Sequence, residues 1–69
     1  MTNPILKLRQ HLALTQHDLA DNLGIAQPNI AHYESGTRHP IVATAFKIMD
    51  FAKKHGMDIK LHEFYEDLR

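Results

Sequence analysis

The stretch Leu14 to Pro40, LTQHDLADNLGIAQPNIAHYESGTRHP, decides how this chain can fold. Thr15 is a good N-cap, because its hydroxyl can accept a hydrogen bond from an amide of the turn that follows. Leu19, Ala20 and Leu23 then recur at helical spacing and form an inward face. Gly24 stands where a left-handed backbone ends a helix without a clash at Cβ. A second helix is expected from about Gln27 to Glu34, with Pro28 tolerated in its first turn and Ile30 and Tyr33 turned inward. Ser35-Gly36 ends it, and Thr37 to Pro40 reads as a loop.

Two helices crossing at a wide angle need a close approach at their turn. Ala20 supplies the small contact, and Ile25 plugs the underside. Gln27, Pro28, Asn29, Ala31 and His32 are then left facing outward. Such a stripe of mostly uncharged polar groups suits the reading of base edges in a major groove. An ordinary helical hairpin with a polar outer face has the same pattern, so the pattern alone leaves both readings open.

Outward from this pair, the chain continues as short helices and tight punctuation. Asn3 can cap a first helix with Pro4 at its first position, followed by Ile5, Leu8 and Leu12 at helical spacing and broken at Leu14-Thr15. A longer helix is expected over about Val42 to Lys54, burying Ala45, Ile48, Met49 and Ala52, with Gly56 closing it. Lys53 and Lys54 complement the dipole at its C-terminal end. Leu61, Phe64, Tyr65 and Leu68 share one side of a last stretch, which predicts a short amphipathic helix serving as a lid on the core or as a dimer contact. Met57 to Leu61 is the one candidate for a brief extended piece.

Composition bounds the function without choosing it. The 69 residues make a single domain, 1–69, whose small core favours a helical bundle. The absence of cysteine excludes disulfides and thiolate metal sites and fits a cytoplasmic protein. No apolar run reaches the roughly 18 residues of a membrane span, and the N-terminus lacks a signal-peptide pattern. Eight basic and eight acidic residues cancel, whereas a nucleic-acid binder usually carries a basic excess. Their distribution is uneven: residues 1–57 carry a net +2 and residues 58–69 a net −2.

The elements of the opening stretch stand in the register of a known family. Leu14, Thr15, Gln16, the Leu19-Ala20 pair, Leu23-Gly24-Ile25, Ile30 and Tyr33-Glu34-Ser35-Gly36 closely resemble the helix-turn-helix of the phage Cro and repressor (XRE-type) family, over about residues 4–55. The resemblance implies an all-α, five-helix domain with the helix-turn-helix formed by helices 2 and 3. It implies operator DNA as ligand and, frequently, a two-fold dimer on a palindromic site. Gln16 would bond a phosphate and brace Gln27, and Gln27 would pair with adenine N6 and N7. Asn29 and His32 occupy positions that reach bases or neighbouring phosphates. Thr15, Ser35 and Arg38 match places that grip the DNA backbone. Arg9 and Glu34 match a structural ion pair between the first and third helices. Pro28 departs from the pattern, since it offers only apolar contact, for example to a thymine methyl. Ala26 is a second departure: it caps the third helix poorly and leaves first-turn amides to face a phosphate.

Other functions find little support. His11, His17, His32, His39, His55 and His62 include no i,i+4 pair and no HExxH arrangement, so no metal or other cofactor is expected. No catalytic triad, phosphate loop or carboxylate pair can be assembled, and so small a chain offers no catalytic pocket. The reading is a DNA-binding transcriptional repressor that acts as a homodimer by occupying its operator. The alternative is an antitoxin-type interaction module whose partner is a toxin protein.

Overall fold

The structure is a computed structural model that describes residues 3–66 and 68. Four α-helices follow one another: α1 Pro4–His11, α2 Gln16–Leu23, α3 Gln27–Ser35 and α4 Val42–Lys54, then a 3-10 helix at Leu61–Tyr65. Among the described residues there is no strand, including over the stretch between Met57 and Leu61. Instead Ile59 turns into the core, where it is buried.

Each early helix starts on a side chain that satisfies amides otherwise left without a partner. Asn3 Oδ1 accepts from the amides of Ile5 at 2.9 Å and Leu6 at 3.3 Å, with Pro4 opening α1. At α2 the Thr15 hydroxyl accepts from the Asp18 amide at 3.0 Å, while the Asp18 carboxylate accepts from the Thr15 amide at 3.3 Å. This reciprocal pair fixes where α2 begins.

The same six-residue closure ends both α1 and α2. The Leu14 amide donates to the Arg9 carbonyl, and the Ile25 amide to the Ala20 carbonyl, each at 3.0 Å. Such a closure needs one residue in the left-handed region. After α2 that residue is Gly24, at φ 66°. A Cβ added there would meet only Lys47 Nζ, at 3.7 Å, so conformation rather than crowding selects the glycine. After α1 the residue is Ala13, at φ 55°. The reversal expected at Leu14-Thr15 therefore falls one residue earlier, on a side chain that raises its cost by about 1 kcal/mol.

One core joins the helices. Ile5 and Leu8 of α1, Leu19, Ala20 and Leu23 of α2, Ile30 of α3 and Ala45, Ile48 and Ala52 of α4 are all buried, with Ile59 and Phe64 closing the far side. Leu12, Leu14, Ile25, Tyr33 and Met49 pack around them, half-buried. In contrast, Ile41, Val42 and Phe46 leave an apolar cluster exposed at the start of α4.

Among the described residues the expected fifth α-helix is not formed. The terminal element is a 3-10 helix of five residues, and Leu68, assigned to its inner side, is 57% exposed. The reason is local. The Glu63 amide closes on the Lys60 carbonyl three residues back, and Tyr65 is held by its hydroxyl donating to the Pro40 carbonyl at 2.6 Å. Within so few residues the fixed turn cannot repay α-helical nucleation. Phe64 is buried and Leu61 and Tyr65 pack on the core, which makes this segment a lid.

Candidate nucleic-acid interface

The outer side of α3 is set by contacts made behind it. Ile30 is the one fully buried residue of the helix, so apolar packing alone leaves its rotation loosely defined. Polar side chains from α1 and α2 supply the rest. Asn3 Nδ2 donates to the Tyr33 carbonyl at 2.7 Å, in addition to its capping of α1. Arg9 donates from Nε to Glu34 Oε2 at 2.7 Å and from Nη2 to Glu34 Oε1 at 3.0 Å. Its Nη1 donates to the Leu14 carbonyl at 3.2 Å, which ties the same guanidinium to the α1–α2 turn. Side-chain exposure is 23% for Arg9 and 8% for Glu34. Its hydrogen bonds to Glu34, and the negative charge there, hold the Arg9 guanidinium still more firmly protonated than usual.

Glu34 Oε1 also accepts from Gln16 Nε2 at 3.1 Å, and Gln16 Oε1 accepts from Gln27 Nε2 at 2.9 Å. Four side chains from three helices thus stand in one hydrogen-bonded line, Arg9, Glu34, Gln16 and Gln27. Gln27 lies at the outer end, at the first residue of α3.

The remaining site residues fall into distinct settings. Pro28 is exposed on the first turn of α3, while Asn29 and His32 are half-buried on the same helix. The Asn29 amide returns to the Ala26 carbonyl at 3.0 Å, and Pro28 has no amide hydrogen. Ala26 makes no side-chain cap for the amides of this first turn. Thr15 is exposed beside its capping box and retains a hydroxyl proton to donate. Ser35 is engaged at the end of α3: its hydroxyl donates to the His32 carbonyl at 3.1 Å and lies 2.7 Å from the Thr37 hydroxyl. Arg38 is exposed in the following loop, and its amide closes on the His32 carbonyl at 3.3 Å.

Two contributors escaped the sequence reading. Asn3 was visible only as a cap, because its link to Tyr33 spans 30 residues. Thr37 meets Ser35 in a loop whose shape no periodicity announces.

Two short helices joined through a left-handed glycine, the second presenting a polar face braced from behind, define a helix-turn-helix domain. Residues 5–56 match the family model described as Helix-turn-helix, and the chain belongs to that family, in its XRE-type form. The family is one of DNA-binding transcription regulators. No curated protein and no solved structure matches the chain. Among the described residues, no helix is long and apolar enough to cross a membrane, and no three His, Cys, Asp or Glu residues form a metal-holding group.

Proposed function

We propose that this chain is a Cro-like repressor, which binds an operator as a dimer and blocks transcription by occupying the promoter. The observation that carries the reading is the brace from Glu34 through Gln16 to Gln27, which fixes a carboxamide at the leading end of α3. A base edge is read by paired hydrogen bonds only when the reading group is held in place beforehand. Gln27, Pro28, Asn29 and His32 would meet base edges, and Thr15, Gln16, Ser35 and Arg38 the phosphates. Arg9 and Glu34 would serve structurally.

Pairing is supported by the exposed cluster of Ile41, Val42 and Phe46. It follows directly on the loop that carries Arg38, so a second copy seated there would lie beside the same DNA. A small reader with no net charge gains affinity from two half-sites that it lacks from one.

The test is selection of bound duplexes from a random-sequence pool, followed by titration of the winner at several salt concentrations. An enriched palindrome with a steep salt dependence is expected. Weak binding without enrichment, together with a stable complex between this cluster and a toxin protein, would replace the repressor with the antitoxin alternative.

A further inference from the structure

Glu34 can only accept hydrogen bonds, because an ionised carboxylate has no proton to give. Arg9 faces it with two donors, at 2.7 and 3.0 Å. The group of Gln16 that meets Glu34 must therefore be its NH2, which turns Gln16 Oε1 toward Gln27. That oxygen in turn accepts only from a donor, so Gln27 presents its own NH2 inward, at 2.9 Å. Each carboxamide along the line has two faces of similar shape and opposite hydrogen-bonding sense. The carboxylate at its root decides which way round both are held.

We propose that Glu34 is the positioning residue that sets the hydrogen-bonding sense of Gln27, and through it the base that Gln27 reads. This rests on the DNA-reading proposal above. With one N–H given to Gln16, Gln27 keeps its carbonyl oxygen and a second N–H for the groove. That edge, one acceptor beside one donor, complements the N6 donor and N7 acceptor of adenine. Reversing the line would leave two N–H donors facing outward. Two donors complement the O6 and N7 acceptors of guanine. Arg9 and Glu34 thus do more than tie α1 to α3: the direction of their ion pair is transmitted to the reading edge.

The test compares selected duplexes for three full-length proteins: the wild type, the charge-swapped double variant Arg9→Glu with Glu34→Arg, and Gln16→Met. The wild type is expected to favour adenine at one position of each half-site by about 5- to 150-fold. The double variant keeps an ion pair but places a donor at the root of the line. Its preference at that position should pass from adenine to guanine, with the other positions unchanged. Gln16→Met leaves Arg9 and Glu34 intact and removes the link. It should weaken binding to all sequences through its lost phosphate contact, and bring the adenine preference down to within about threefold of the other bases. Circular dichroism and urea titration establish that each variant is folded, and Gln16→Met carries the test alone should the double variant fail to fold. A folded Gln16→Met protein with the wild-type adenine preference would overturn the role of Glu34 while leaving the repressor reading intact. A wild type that enriches no sequence would overturn both.

Discussion

Helices α3 and α4 lie on the same core and are held to it by different physics. Helix α4 buries Ala45, Ile48 and Ala52 completely, and among the described residues it makes no side-chain hydrogen bond to another helix. Helix α3 buries Ile30 alone, and is tied by Asn3 to its Tyr33 carbonyl and by Arg9 and Gln16 to its Glu34. Apolar burial is strong but non-directional, so it fixes where a helix lies better than how it is turned. Hydrogen bonds weaken steeply with angle, and fix the turn. The helix proposed to present a side chain to a base edge is the one given directional contacts.

The difference can be broken from the α4 side first. Ile48→Ala empties fully buried volume, and should lower unfolding free energy by about 3 kcal/mol in urea titration. Base preference of the folded fraction should stay unchanged. Arg9→Ala should cost about 2 kcal/mol, somewhat below a wholly buried pair because its guanidinium is partly solvated. Here the base preference should broaden as well, and a variant that loses stability but reads the same site would erase the distinction between the two helices. Gln27→Ala tests the outer end: operator affinity should fall by about 1–3 kcal/mol with relaxed preference at one base, and stability should hardly move. Arg38→Ala should weaken all sequences alike and flatten the salt dependence by about one unit of slope, measured as log Kd against log salt. A loss confined to one sequence would put Arg38 in a groove. The smallest effect is a gain. Ala13→Gly should stabilise the protein by about 0.5 kcal/mol, because a glycine meets no Cβ clash at φ 55°. Its DNA preference should be that of the wild type.

Much of the scaffold was legible because its signals are local. Thr15 with Asp18, Gly24, and the apolar spacing from Val42 to Lys54 place α2, the turn and α4 where they stand. What escaped depends on partners far along the chain or on competing short bonds. Ala13 carries no sign of a left-handed backbone, since any residue would be disfavoured there except glycine and, less so, asparagine. The end of the chain has the apolar spacing of a helix, yet the Tyr65 hydroxyl on the Pro40 carbonyl holds it as a 3-10 turn. Ile59 falls in the stretch Met57 to Leu61, which reads as a candidate extended piece, and its side chain belongs to the core. Within the site, the family resemblance joined Arg9 to Glu34 and Gln16 to Gln27 as separate pairs. The bond from Gln16 to Glu34 makes them one line, and nothing in their sequence spacing of 18 residues shows it.

The tether on Gln27 divides the reading face by how freely it can diverge. Gln27 is bound into a line of four side chains, whereas Asn29 and His32 have no side-chain hydrogen bond among the described residues. A mutation at either of the latter two breaks no side-chain hydrogen bond behind it, so on the proposed reading a lineage acquires a new DNA site there in single steps. A change at Gln27 also removes the donor that Gln16 faces, so its effect reaches the side chains behind the reading face as well as the base in front of it. On that reading, related DNA-binding regulators in one host, under pressure to avoid each other's sites, would part ways first at the positions of Asn29 and His32 and keep the carboxamide at the leading edge as shared inheritance.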